Sequence, residues 1–214
     1  MFAYPIDDEL ELRQLQEENA AELFELIERN RTYLCQWLAG KYVYETLADV
    51  RRYIQTSLLR HAGDPSAPAN LFLAIDVGLM SPIGNGAFDA GVWYQGRLAG
   101  VVQLHAIDWQ NRFADIGYWL GLEFQGRGLM TRSVRAVLDY AFNEYRRRRV
   151  VIYCAVLNRR SRAIPERLGF KLERIWPQAE RIQGRSVDDA VYGLWDYKWR
   201  GEPHPRLRRS AGAD

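Results

Sequence analysis

The hydrophobic positions of the chain fall into short alternating runs and a few stripes with helical spacing. Leu10 to Leu15 alternates and predicts a first strand. Asn19 with Glu22 has the spacing of a capping box, and Ala20, Leu23, Phe24 and Ile27 then line one face of a helix ending near Asn30. Thr46 with Asp49 repeats the cap ahead of a second stripe, Leu47, Val50, Ile54 and Leu58. Leu71 to Val77 predicts a buried strand. Residues 78–90 interrupt the pattern before Gly91–Gln95 and Leu98–Leu104, which predict a hairpin turning at Gly96-Arg97.

Phe113 to Leu120 is the next strand. The clearest helix runs from Met130 to about Tyr145, with Val134, Val137, Leu138, Ala141, Phe142 and Tyr145 on one face. Arg149 to Val156 is apolar and β-branched beyond its first residue and predicts a central strand. Ser161 to Leu168 is a short helix stopped by Gly169. Phe170–Ile175 and Val187–Trp199 predict closing strands around a turn at Ile182-Gln183-Gly184-Arg185.

Strands with interspersed helices, and hairpins at both ends, predict an α/β (α+β) domain around one mixed sheet. The expected domain covers 1–200, and the tail Gly201 to Asp214, rich in proline, arginine and glycine, is expected to be disordered. Residues 33–45 are aromatic and irregular, with Trp37, Tyr42 and Tyr44, and Gly63 to Asn70 is a loop.

Composition narrows the function. A chain of 214 residues with 48% hydrophobic content can bury a sizeable core. It has no apolar run of the roughly 18 residues that a membrane span needs, and Met1 to Glu11 is too acidic for a signal peptide, so a cytoplasmic protein with no membrane partner is expected. Cys35 and Cys154 have neither CxxC nor metal spacing and fit a reducing compartment. The scattered His61, His105 and His204 predict no metal site. The 29 basic residues, all arginine except Lys41, Lys171 and Lys198, are balanced by 27 acidic ones, so direct nucleic-acid binding is not expected. The run Arg146 to Arg149 reads as a solvated helix end.

The candidate chemistry centres on Gln125-Gly126-Arg127-Gly128-Leu129-Met130-Thr131. Two glycines where a strand turns into a helix let a ligand approach backbone N–H groups at a helix N-terminus, which suits a phosphate. A P-loop would need Gly-Lys followed by Ser or Thr, and no lysine stands here. A dinucleotide fingerprint would need a third glycine where Thr131 stands, and an acidic end to the next strand, which runs into Leu157-Asn158 instead. The pyrophosphate loop (Gln/Arg)-x-x-Gly-x-(Gly/Ala) matches at Gln125 and Gly128 and departs at Met130.

From Ile116 to Trp199 the chain resembles the GCN5-related N-acetyltransferase (GNAT) superfamily, and within it the ribosomal-protein alanine and serine N-terminal acetyltransferases. The resemblance is carried by Gly117-Tyr118-Trp119-Leu120-Gly121, the loop from Phe124 to Thr131, Arg149-Val150-Val151-Ile152, Asn158, Ser161, Glu166-Arg167-Leu168-Gly169-Phe170 and Gly184-Arg185-Ser186-Val187-Asp188. The superfamily commonly has a tyrosine acid where this chain has Pro165. Ser161 stands where the serine acetyltransferases carry their proposed acid, and Gln178-Ala179-Glu180 matches a sequence holding a glutamate that is paired with it.

The resemblance implies a mixed, mostly antiparallel, splayed sheet of about seven strands with about four helices. Coenzyme A would lie in the gap between strands ending near Leu120 and Val156. It implies acetyl-CoA as co-substrate, bound by Leu120, Leu122, the run Gln125 to Thr131 and Asn158, the last bonding pantetheine or adjacent backbone. Glu180 would be the base and Ser161 the acid. A main-chain N–H near Leu120 would hold the oxyanion, with Gly117 and Gly121 allowing a bulge to aim it. The implied acceptor is an α-amino group, such as a ribosomal or other protein N-terminus, attacked directly without an acyl-enzyme, and the implied assembly is a homodimer. A small-molecule amine and a non-catalytic acyl-CoA-binding module are the alternatives. Several residues have a structural reading beside the chemical one. Ser161 also fits a helix cap, Glu180 a surface carboxylate, Cys154 a core residue, and Asp188 and Asp189 structural positions at a strand start. Trp37, Tyr42, Tyr44 and Trp93 fit either core packing or an acceptor groove.

Overall fold

In the computed structural model the described residues are 3–39, 44–62, 88–108 and 111–201. The alternating runs become eight strands: β1 (Ala3–Pro5), β2 (Leu10–Gln14), β3 (Phe88–Tyr94), β4 (Arg97–Asp108), β5 (Phe113–Leu120), β6 (Arg149–Ala155), β7 (Lys171–Ile182) and β8 (Arg185–Trp195). They form one sheet in the order β1-β2-β3-β4-β5-β6-β8-β7. The stripes become helices α1 (Ala20–Leu34), α2 (Leu47–Ala62), α3 (Leu129–Asn143), α4 (Arg159–Arg167) and the single turn α5 (Asp196–Trp199). This is the expected α/β GNAT architecture, with β1 and α5 added to it.

Neighbouring strands are antiparallel except β5 and β6, which run parallel and pair only over Phe113–Asp115 and Arg149–Val151. Beyond that point β5 stays on β4 up to Leu120, and β6 stays on β8 up to Ala155. Each strand keeps its outer partner, so a gap opens in the middle of the sheet, where the sequence predicted it.

Alternation sorts side chains onto two faces. Gln103, His105, Asp115, Tyr153, Trp176 and Asp189 share one face through their cross-strand pairings. Tyr118, Cys154 and Tyr192 share the other. The first face meets α2, where Gln103 Nε2 donates to Tyr53 Oη at 3.1 Å. The second meets α3 and α4, where Tyr140 packs edge-on to Phe88 and Tyr118 Oη donates to the Ser161 carbonyl at 3.0 Å. The main core lies around the helices, and a smaller cluster of Phe113, Val151 and Val191 is flanked by Tyr153 and Trp176.

Helix ends show where local signals were overruled. The Thr46–Asp49 box forms, with Asp49 N donating to Thr46 Oγ1 and Thr46 N to Asp49 Oδ2. The Asn19–Glu22 box does not. Asn19 Oδ1 accepts from Gln16 N, and Glu22 Oε1 takes the Leu98 N–H at 3.0 Å, tying α1 to the β3–β4 hairpin. α1 also runs past Asn30, because that side chain is buried and committed elsewhere. Its Oδ1 accepts from Leu122 N at 2.8 Å and its Nδ2 donates to Leu26 O at 3.0 Å.

Four further expectations are corrected. β3 begins at Phe88, inside the stretch read as an interruption, because Phe88 and Ala90 are buried and Asp89 between them is held by His105. Arg147 is buried, with its Nε donating to Tyr145 O, and Arg149 begins β6 and pairs with Glu173, so the arginine run is not a solvated helix end. The last strand stops at Trp195, where α5 starts. β5 carries no bulge at Gly117–Gly121, its ladder to β4 being regular there. The predicted strand at Leu71–Val77, the loop at 63–70, Tyr42, His204 and the tail beyond Gly201 lie outside the described residues.

Candidate active site

A cavity of about 1180 Å³ passes through the gap and joins the two faces. Its lining brings together the glycine loop, Asn158, Ser161 and Glu180, residues more than fifty positions apart in sequence at the extremes. The two glycines of the loop have left-handed backbones, Gly126 at φ +77° and Gly128 at φ +72°. Beyond the adjoining residues of the chain, no heavy atom among the described residues lies within 4 Å of where a Cβ would stand on either. Gly128 is the N-cap of α3 and offers no side chain to cap it, so the N–H groups of the first turn are open to an anion.

Arginines converge on the same loop from α4. Arg160 Nη1 donates to Gln125 Oε1 at 3.0 Å, and Arg167 Nη1 to Thr131 Oγ1 at 2.8 Å. Both line the cavity. A glycine cradle, an uncapped fifteen-residue helix and two guanidinium groups fit a pyrophosphate well. The arginines escaped the sequence reading because the helical frame that brings them to the loop exists only once α4 docks beside α3.

Leu120 carries the open backbone edge. Gly121 N donates to Ala99 O on the β4 side, so alternation turns the backbone groups of Leu120 toward the gap. Its carbonyl is met there by Gln125 Nε2 at 3.3 Å. No bulge is required for this placement.

Asn158, not Ser161, is the N-cap of α4: its Oδ1 accepts from Ser161 N at 3.1 Å. Of the two partners left open for Asn158, the bond seen is to adjacent backbone. Ser161 Oγ is thereby released to lie 3.2 Å from Cys154 Sγ and 3.4 Å from Tyr118 Oη. Burial raises the pKa of the Tyr118 phenol well above its usual value and pushes the Cys154 thiol up to about 11. Cys154 therefore stays a neutral thiol at physiological pH, as a core residue would. Pro165 is buried inside α4, leaving no side-chain acid at that position.

The opposite face holds a polar set that the sequence reading did not gather. His105 Nε2 lies 3.0 Å from Asp89 Oδ1, both being buried. Burial opposes charge on this imidazole, but the bond to Asp89 and its charge outweigh it and raise the His105 pKa. Asp115, paired with His105 across the β4–β5 ladder, has its carboxyl pushed up to about 6 by burial, and its Oδ1 is buried with no hydrogen-bond partner among the described residues. Asp189 is only 5% exposed, and burial, with the charges of Glu180 and Asp188, pushes it up to about 7. Their one sequence signal was an acid embedded in an apolar run, which strand-start statistics explain equally well. Trp37 and Tyr44 line the cavity on this side, whereas Trp93 is buried away from it under Arg13.

Among the described residues no helix is long and apolar enough to cross a membrane, and no group of three or more histidine, cysteine or acidic side chains is placed to hold a metal.

Comparison with known proteins agrees with this geometry. Residues 9–171 match the acetyltransferase (GNAT) domain family. A Bacillus subtilis protein provisionally named a ribosomal N-acetyltransferase, YdaF, is 34% identical over 94% of this chain and 100% of its own length. The ribosomal-protein-serine acetyltransferase of Escherichia coli is 27% identical over 87% of this chain and 93% of its own. Among solved structures, the ribosomal α-N-protein acetyltransferase RimL in complex with coenzyme A superposes with a TM-score of 0.76 at 29% identity, covering 91% of this chain and 98% of that one. The microcin C7 self-immunity acetyltransferase MccE, in complex with acetyl-CoA and AMP, gives 0.73 at 29% identity over 89% and 94%. With its splayed sheet, glycine loop and these relatives, the chain belongs to the acetyltransferase (GNAT) domain family and is an N-acetyltransferase.

Proposed function

We propose that the protein transfers the acetyl group of acetyl-CoA to the α-amino group of a protein N-terminus. The observation that carries this reading is the cavity that runs from the glycine loop, past Ser161, to Glu180 on the other side of the sheet. The pyrophosphate is assigned to the backbone of residues 125–131, with Arg160 and Arg167 beside it. Acetyl-CoA supplies a thioester carbonyl activated for attack by an amine. The N–H of Leu120, turned into the gap, is placed to donate to that carbonyl oxygen as charge develops on it.

An α-amino group has a pKa of about 8, so most of it is protonated at neutral pH and must lose a proton before it can attack. Glu180 takes that role. Ser161, freed from capping by Asn158, protonates the departing sulfur. Among the described residues lining the cavity, Cys154 is a neutral thiol and Ser161 Oγ contacts Cys154 and Tyr118 rather than His105, which favours direct attack by the amine. Two of the relatives named above act on ribosomal proteins, which favours a protein acceptor.

A small-molecule amine is the second reading, favoured by the aromatic lining of Tyr33, Trp37 and Tyr44 on the acceptor side. One experiment separates them: thiol release from acetyl-CoA with peptides bearing free serine or alanine N-termini, set against polyamines, amino acids and amine-bearing antibiotics. Peptide turnover with a mass gain confined to the N-terminus supports the proposal, and turnover of the small amines alone overturns the acceptor assignment. Glu180→Gln is expected to lower turnover by about 10²-fold or more, without loss of coenzyme A affinity.

A further inference from the structure

We propose that Asp189 is a second catalytic carboxyl group of this site, paired with Glu180 across the β7–β8 ladder so that the two together seat the acceptor's ammonium group and receive its proton. The inference deepens the acetyl-transfer reading above and rests on it.

The strand register makes the pair. β7 and β8 are matched at Trp176–Asp189 and again at Glu180–Val187, so residues 177–179 of β7 stand against Asp188 alone. Gln178 in this bulge has φ +51°, and its N–H donates to Asp188 Oδ1 at 2.9 Å. Asp188 is held outward by that bond, and alternation turns Asp189 to the opposite side. Val187 and Asp189 lie on one face, so Glu180, matched to Val187, is the diagonal neighbour of Asp189. Such neighbours stand about 7–8 Å apart, within reach of a glutamate side chain. Both residues line the cavity.

No hydrogen-bond donor among the described residues reaches the Asp189 carboxyl group, although the residue is 5% exposed. Trp176 and Ala155 flank it through the ladders, and Tyr153 follows on β6. The phenol of Tyr153 is itself pushed up by burial to about 12 and stays neutral. Arg174, from β7, stacks on Trp176 at 5.4 Å. The Cys154 thiol belongs to the other face and is neutral. Glu180 and Asp188 are the charges that act on Asp189, and both are negative. Two carboxyl groups so placed resist ionising together, so a proton lost by the acceptor's ammonium group is readily held between them.

The proton balance follows. The acceptor's ammonium gives one proton to the pair and becomes a neutral amine. The nitrogen lone pair forms the C–N bond as the C–S bond breaks, and the second nitrogen proton leaves with the sulfur as free thiol. The pair then returns its proton to solvent.

The test uses the full chain, labelled with ¹³C at aspartate and glutamate carboxyl carbons, with Asp189→Asn identifying the resonance. Asp189 is expected to titrate near pH 7 in the wild type and at lower pH in Glu180→Gln. Titration in the ordinary aspartate range, or no response to Glu180→Gln, overturns the pairing, and this readout needs no acceptor. In turnover of a serine-initiated peptide with acetyl-CoA, Asp189→Asn should lower kcat/KM about 10²-fold and move the acidic limb of the pH profile downward, and Asp189→Glu should restore both in part. An unmoved pH profile with unchanged peptide KM refutes the catalytic role, since a purely structural residue would scale activity alone. A wild type that turns over no N-terminal peptide while the pair titrates as described overturns the acceptor assignment and leaves the pair standing.

Discussion

Replacing Gly128 by alanine separates the strain of the loop from its ligand role. Gly128 sits at φ +72°, where an L side chain costs about 1–2 kcal/mol. Nothing lies within 4 Å of the added Cβ, so backbone strain is the whole cost in the absence of ligand. Gly184, in the β7–β8 turn at φ +77° with equally open space, is the matched control. For a chain of this size each kcal/mol moves Tm by about 2–4 °C, so both variants should melt about 2–8 °C below wild type. Acetyl-CoA at a hundred times its Kd should then stabilise the wild type by about 2.7 kcal/mol. The corresponding rise of about 5–10 °C should persist in Gly184→Ala and largely vanish in Gly128→Ala, whose methyl group occupies the phosphate cradle. Differential scanning calorimetry with and without acetyl-CoA measures both effects. A full ligand-induced rise in Gly128→Ala would refute the cradle.

Two more outcomes follow from the buried groups. Asp115 has its folded pKa raised from 3.8 to about 6, so its contribution to stability is fully present below its unfolded pKa and lost as pH rises through about 6. Asp115→Asn avoids a cost of about 3 kcal/mol above that range and should melt higher than wild type at pH 8 but not at pH 4; equal differences at both would contradict the burial argument. Ser161→Ala removes the hydroxyl beside Cys154 and Tyr118 while Asn158 still caps α4, so turnover should fall about 10²-fold with unchanged Tm and acetyl-CoA affinity. A matching loss of Tm would mark Ser161 as structural.

The two faces of the gap divide the chemistry. The glycine loop, the arginines of α4 and the Tyr118–Ser161–Cys154 contacts lie with α3 and α4, where a phosphate-bearing donor finds N–H groups and guanidinium ions. Asp115, His105, Asp189 and the aromatic lining lie with α1 and α2, where buried carboxyl groups line the cavity on the side proposed for the amine. In the proposed reaction the loop at 125–131 holds the donor, and residues spread over β4, β5, β7 and β8 face the acceptor.

The amino-acid sequence by itself determined the parts governed by local rules. Apolar patterning marked the described strands apart from β1, the first residues of β3 and the second half of β7, which continues past the predicted end at Ile175 to Ile182. Helical spacing marked α1 to α4, and the loop at 125–131 stood out because left-handed backbone and open N–H groups call for glycine. The tertiary structure decided what depends on partners distant in the chain. Asn19 and Glu22 lost their cap to Gln16 and Leu98, and Asn30 continued a helix because Leu122 occupied its side chain. Ser161 was released by Asn158. Asp189 looked like the start of a strand until the three-residue bulge at 177–179 set it beside Glu180. A carboxyl group's role depends on its burial and on the charges around it, and only the assembled sheet specifies those.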